Sequence, residues 1–348
     1  MDRVKVGVIG IGTMGQRHCR VYSNLRGAQL GGVCDVSTEV GQRVARQYDV
    51  PFFARVDDLL MNVDAVSLAT PTPLHSDLAM RCLERGVHLL VEKPITETLE
   101  QAEALTQAAE SSGLVVQVGH IERFNPAYLE LKNVLEDMKM LAVNFRRLSP
   151  YEGSNTDVDV VLDLMIHDTN LVLDLVRRQP VTVNAYGLAA LSGTIDHAVA
   201  HLGFESGPLV TITASRITEQ KVRSIEVTAL DAYLECDLLN KSISVHRRTI
   251  GQYVNHNHQG IKYRQESIVE RIHVPSFEPL FLELQSFIDC ILERKPPAIS
   301  ARDGLQALAL ASSVRRMIRE SWTGLGMAEG LNLTQCNAAE PAPVMAPA

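Results

Sequence analysis

Through the first third of the chain, short apolar, β-rich runs alternate with stretches whose apolar positions recur at helical spacing. The runs Val4 to Ile9, Gln29 to Cys34, Ala65 to Ala69, Val87 to Val91 and Val115 to Val118 predict strands. Between them, Met14 to Leu25, Ser37 to Gln47, Leu74 to Arg85 and Leu99 to Glu110 predict helices. Gly86 and Gly113 follow two of these helices, where a left-handed cap favours glycine. This rhythm is that of a doubly wound parallel sheet.

The pattern changes after about Pro126. One helix to about Glu136 leads into a β-rich stretch, and alternation in Val181 to Leu191, Ala198 to Phe204, Leu209 to Ser215, Arg223 to Ala229, Tyr233 to Asp237 and Ser242 to Arg247 predicts a largely antiparallel sheet. Such an open sheet needs cover on its second face, which makes self-association through it an expectation. Val158 to Val176 reads as a buried helix, and Leu280 to Glu293 and Gly304 to Glu320 as amphipathic helices parted by Lys295-Pro296-Pro297. The expected α/β organisation is a nucleotide-binding domain over 1–122, an α+β domain over 123–322, and a flexible tail over 323–348, rich in Ala, Pro, Gly and Asn.

Composition narrows the partners. With 348 residues, 46% hydrophobic and 21% charged, the chain has the balance of a soluble two-domain protein. Its formal charge of −8 disfavours nucleic acid or an anionic membrane as the main partner, while leaving room for a phosphorylated substrate held by local arginines. Cys19, Cys34, Cys82, Cys236, Cys290 and Cys336 are scattered without a C-x-x-C pair, and no secretory or membrane-spanning segment is evident. A reduced, cytoplasmic setting without structural zinc is expected.

Gly10-Ile11-Gly12-Thr13-Met14-Gly15 follows the first strand, opens a helix, and is followed twenty residues after Gly15 by Asp35 at the end of the next strand. Gly10 turns tightly, Gly12 lets the backbone approach a pyrophosphate, Gly15 permits close helix packing, and the helix N-terminus favours the anion. Asp35 would accept hydrogen bonds from an adenosine ribose and repel a 2′-phosphate. The next residues, Val36-Ser37-Thr38, include no arginine to receive that phosphate, although Arg43 lies further on. NAD is the expected cofactor.

Glu92-Lys93-Pro94 ends a strand of that sheet, where strand exits line the ligand crevice. In the Val158 to Val176 segment, Asp163 and His167 are four apart and share a face, continued by Asn170 and Asp174. Oxidising a secondary alcohol requires a base beside the nicotinamide. His167 suits that role near neutral pH. Lys93 can hold the developing alkoxide, or act as base itself if its pKa is lowered.

In this order, the glycine turn, Thr70-Pro71-x-x-x-His75, Glu92-Lys93-Pro94 and Asp163-x-x-x-His167 resemble the Gfo/Idh/MocA oxidoreductases over about residues 3 to 320. The resemblance implies a Rossmann domain, then a domain whose open sheet mediates dimer or tetramer formation, with the last helices packing back on the first domain. It also implies a site between the domains where Lys93, Asp163 and His167 converge, with Thr70, Pro71, His75 and Glu92 beside the cofactor. His120-Ile121-Glu122-Arg123-Phe124-Asn125-Pro126 and Asp163-Leu164-Met165-Ile166-His167-Asp168 are similar to the UDP-N-acetylglucosamine 3-dehydrogenase subgroup. That subgroup forms a 3-keto sugar nucleotide for a PLP-dependent aminotransferase, on a route to 2,3-diamino sugars of lipid A or related glycans. Many relatives in the broader family have Gly where Met165 stands.

A UDP-sugar substrate needs cations, for which Arg123, Arg146, Arg147, Arg216, Lys221, Arg223, Lys262 and Arg264 are candidates. Arg123, Asn125, Arg147 and Tyr151 are the expected substrate contacts beside the three central residues, with Glu152 and Asn155 as further candidates. His246, His256 and His258 lack a cysteine or acidic partner set at metal spacing and read as ordinary loop residues. Two alternatives remain: the same chemistry on a free sugar, another sugar nucleotide or an inositol, and a catalytically silent NAD-binding regulator.

Overall fold

The computed structural model describes residues 3–153, 158–254 and 261–324, with backbone alone for 248–254, 261–267 and 323–324. Asn155, His256, His258, Cys336 and the tail from 325 therefore lie outside the described residues, as do the side chains of Lys262 and Arg264.

The first unit runs β1 (Val4–Ile9), α1 (Thr13–Tyr22), β2 (Ala28–Cys34), α2 (Thr38–Tyr48), β3 (Phe52–Phe53), α3 (Val56–Leu60), β4 (Ala65–Leu68), α4 (His75–Glu84), β5 (His88–Glu92), α5 (Leu99–Ser112) and β6 (Val116–Gly119). The strands form an all-parallel sheet in the order β3-β2-β1-β4-β5-β6. Strand order reverses between β1 and β4, and the exits there frame the nucleotide crevice. Helix ends follow local chemistry. Thr98 and Gln101 form a reciprocal capping box on α5, and Gly113 closes it at φ 68°.

The second unit contains α6 (Pro126–Leu135), β7 (Met140–Leu148), α7 (Ile166–Val176), β8 (Thr182–Leu188), β9 (His197–Gly203), β10 (Leu209–Ser215), β11 (Val222–Ala229), β12 (Ala232–Asp237), β13 (Ser242–Val254) and β14 (Ile261–Ile272). They form one mixed sheet, β14-β13-β12-β11-β7-β10-β9-β8, with β7 and β10 parallel and the other pairs antiparallel. Alternation buries Val143, Phe145, Ile212 and Ile225 on the helix-covered face, while Asn144, Arg146 and His201 are exposed on the other.

The chain then returns to the first unit with α8 (Pro279–Glu293) and α9 (Ala301–Gly324). Leu284, Phe287 and Ile288 of α8 join Val6, Tyr22 and Val33 in one core, while Leu308, Ala311 and Val314 of α9 pack with Ile95, Leu105 and Val118. Ile299 accepts a backbone hydrogen bond from Val118 at 3.0 Å on the outer edge of β6. No described helix is long and apolar enough to cross a membrane.

Candidate active site

The glycine turn is built by close approaches. Gly10 has φ +85°, and a Cβ there would lie 2.7 Å from the Ala69 carbonyl oxygen, while one on Gly15 would lie 1.8 Å from that of Gly10. These two glycines are demanded by the fold itself. A Cβ on Gly12 would meet nothing within 4 Å, so the space beyond that residue is open at the N-terminus of α1, whose first turn carries no acid. Asp35 accepts from the Ile11 N–H at 2.6 Å and the Ser37 N–H at 2.7 Å, which fixes its carboxylate beside the turn. Thr70 Oγ1, at the exit of β4, is buried with no partner among the described residues. An open cradle for an anion, a fixed carboxylate for a ribose and a waiting hydroxyl fit NAD.

His75 ties two exits together. Buried between β4 and β5, its ring nitrogens lie 2.9 Å from the Thr70 carbonyl and 2.8 Å from that of Pro94. It therefore fixes the segments after β4 and β5 relative to each other. Glu92 is held in turn by His18 at 3.1 Å, itself 2.6 Å from Ser67 Oγ.

Lys93 meets the second unit at Asp163, in a segment whose local geometry differs from the expected helix. Val161–Met165 forms a π-helical turn and only from Ile166 does the chain run as α-helix, so the single helix expected over Val158 to Val176 is two helical forms. Asp159 starts the turn by accepting from Val161 N at 3.2 Å and Leu162 N at 3.1 Å, and Arg315 of α9 pairs with it at 2.9 Å. Lys93 Nζ donates to the Asp163 carbonyl at 2.9 Å and lies 3.4 Å from its Oδ1. His167 opens α7 with Nδ1 buried and unpartnered among the described residues. Burial, with Lys93, Arg147, His120 and Arg223 around it, pushes its imidazole well below the ordinary value, so the ring is neutral.

Beneath His167 lies a closed ion-pair network. Arg147, 1% exposed, grips Asp168 through Nε at 2.9 Å and Nη2 at 2.8 Å, and Glu122 through Nη1 at 2.8 Å. Glu122 also accepts from Arg223 at 3.0 Å and from Asn125 at 3.1 Å. Burial works to raise the Glu122 carboxyl, and Arg147 and Arg223 overcome it. Arg147 and Asn125 are thus corrected from expected substrate contacts to internal supports: both side chains are buried and their polar groups are engaged within the protein.

The other expected contacts separate by position. Arg123 pairs with Asp174 at 2.8 Å, and Lys132 reaches the same carboxylate at 2.8 Å. Arg146 lies on the outer sheet face, Arg216 is buried and donates to the Val158 carbonyl, and Tyr151 is 40% exposed beyond β7. His246 lies 3.2 Å from Glu235, a pairing unrelated to the cleft.

His120 opens the His120 to Pro126 run, whose sequence gives it no role. It follows Gly119, which pairs in register with Glu92, and so leaves β6 beside Lys93. Both its ring nitrogens are buried without partners among the described residues, and burial, Arg123 and Lys93 push its pKa down to about 3.

Residues 4–120 match the NAD-binding Rossmann fold of the Gfo/Idh/MocA oxidoreductase family, and residues 137–235 its C-terminal domain. A UDP-N-acetylglucosamine 3-dehydrogenase from Acidithiobacillus ferrooxidans is 33% identical over 315 residues, 90% of this chain and 97% of the relative. The chain belongs to the Gfo/Idh/MocA oxidoreductase family. As a member it is an NAD-dependent oxidoreductase, and the glycine turn lies within the matched NAD-binding unit. The solved structure of the A. ferrooxidans enzyme superposes with a TM-score of 0.82 at 32% identity, covering 92% of this chain and 99% of that one. A scyllo-inositol 2-dehydrogenase (NAD(+)) from Bacillus subtilis is 25% identical over 86% of this chain and 90% of its own. A Lactobacillus casei scyllo-inositol dehydrogenase with bound NAD(H) and scyllo-inositol shares the fold, at TM-score 0.76 and 20% identity over 92% of this chain and 98% of that chain.

Proposed function

We propose that this family member oxidises the C3 hydroxyl of UDP-N-acetylglucosamine to a ketone. The observation that carries the reading is the 33% identity with a UDP-N-acetylglucosamine 3-dehydrogenase, running through both units. The Lys93, Asp163 and His167 constellation supports it. Bound NAD supplies the hydride acceptor. Neutral His167 takes the hydroxyl proton on Nε2, the nitrogen on the opposite side of the ring from buried Nδ1. Lys93, steered by the Asp163 carbonyl, donates to the substrate oxygen as negative charge develops there. The same reading makes a PLP-dependent aminotransferase the consumer of the ketone and the outer face of the large sheet the surface for self-association.

The test incubates the purified protein with NAD and UDP-N-acetylglucosamine, with and without a 3-keto-sugar aminotransferase and its amino donor. NADH and a 3-amino sugar nucleotide are expected. Oxidation of inositol without any binding of UDP would instead favour a polyol dehydrogenase, the activity named for the B. subtilis relative. Lys93→Met and His167→Asn should each lower turnover by roughly 100-fold or more while retaining NAD binding. Full activity in His167→Asn would transfer the base to Lys93, and absence of turnover in the unmodified protein would favour a silent NAD-binding regulator.

A further inference from the structure

Arg223 and Arg147 stand side by side, paired in register across β11 and β7 with their side chains on the inner sheet face. Their surroundings differ. Arg147 is enclosed and saturated by Asp168 and Glu122, whereas Arg223 is 27% exposed and shares with Arg147 a single oxygen of Glu122. The other Glu122 oxygen is taken by Asn125, and Arg223 Nε is buried with no partner among the described residues.

Arg223 is therefore a guanidinium short of anion, held in place by a network that cannot supply more. Burial and the neighbouring Arg147 both push it below its ordinary pKa, the direction expected for a charge awaiting compensation. The other nearby cations are otherwise engaged: Arg123 by Asp174, Lys93 by Asp163.

Its place matters as much as its charge. Arg223 shares Glu122 with Arg147, and Arg147 grips Asp168, the residue after His167, so Arg223 belongs to the network that carries the His167 end of α7. In a sugar-1-diphosphate, the first phosphate hangs from C1, two ring carbons from C3. A cation beside the base that serves the C3 hydroxyl is therefore within reach of that phosphate.

We propose that Arg223 grips the sugar-linked phosphate of the substrate and is the residue that separates sugar nucleotides from uncharged polyols. This rests on the UDP-sugar reading above. A guanidinium fork matches phosphate oxygens with paired donors, and the contact is charge-assisted.

The full chain is assayed with saturating NAD as the unmodified protein, Arg223→Met and Arg223→Lys. Arg223→Met should raise KM for UDP-N-acetylglucosamine roughly 10- to 100-fold, with a smaller fall in kcat and unchanged NAD affinity. Arg223→Lys, which keeps the charge and disturbs folding least, should give an intermediate KM. The phosphorus resonance of the sugar-linked phosphate in the bound substrate should move in both variants. An unchanged KM and resonance in Arg223→Lys and Arg223→Met, or a loss confined to kcat or to NAD affinity, overturns the inference. If the unmodified protein binds neither UDP nor UDP-N-acetylglucosamine, the proposed function and this inference fall together. If it turns over UDP-N-acetylglucosamine and the variants match it, only this inference falls.

Discussion

At the scale of single residues, the cofactor turn shows two reasons for glycine. Gly10 and Gly15 are excluded from bearing a side chain by their own backbone neighbours, and Gly12 only by what must lie against it. Gly15→Ala would force the turn apart, because its Cβ would sit 1.8 Å from a carbonyl oxygen. We expect at least a tenfold weaker NAD affinity, roughly the loss of one charge-assisted contact, measured by calorimetric titration; unchanged binding would mean that the turn can open without cost. His120 sets a second expectation. Its folded pKa of about 3 lies below the ordinary 6.5, so between those values the unfolded chain binds a proton that the folded chain refuses. Stability from this residue is therefore full above the upper value and is lost as pH falls through the window. From neutrality to pH about 5, the loss is about 2 kcal/mol. His120→Gln should flatten that part of the pH dependence of the urea midpoint.

At the scale of elements, the spacing of Asp163 and His167 predicts one helix bearing both, and the structure makes its first part a π-helical turn. The π-helical turn aims the Asp163 carbonyl at Lys93, and Asp168, one residue past His167, anchors the start of α7 to Arg147. Strand β7, which carries that anchor at the centre of the large sheet, was absent from the expected strands. Its inward positions read Val143, Phe145, Arg147, and a charge at the third breaks the alternation unless carboxylates bury it. Arg147→Met should destabilise the protein by about 3 to 5 kcal/mol, because Asp168 and Glu122 would be left buried without their partner. A denaturation midpoint equal to that of the unmodified protein would show that water reaches the pocket.

At the scale of the whole molecule, the expected boundary after residue 122 describes chain order better than it describes the packing. The last two helices complete the first unit: α8 supplies Leu284, Phe287 and Ile288 to one face of its sheet, and α9 packs Leu308 and Val314 against the other. Trp322 then ties α9 to β8 by donating to the Gly187 carbonyl at 2.7 Å. A fragment ending at Glu122 should therefore lack cooperative unfolding in urea, while the full chain unfolds in one transition. A fragment that binds NAD as tightly as the full chain would show that the helices are dispensable cover.

Local order was readable from sequence wherever the physics is local. Apolar runs, caps and glycine spacing act over a few residues, so the alternating first unit, the NAD turn with Asp35, and the lysine at the exit of β5 could be placed before any contact was known. Family membership followed from the same motifs in order. What the tertiary structure alone decided are the roles of charges. Arg147 and Arg223 are adjacent in register and identical in chemistry, yet one is enclosed by two carboxylates and the other keeps a nitrogen with no partner among the described residues. That difference depends on Glu122 and Asp168, brought to β7 and β11 from distant parts of the chain. Burial and long-range pairing set the worth of a charge, and neither is written in its spacing.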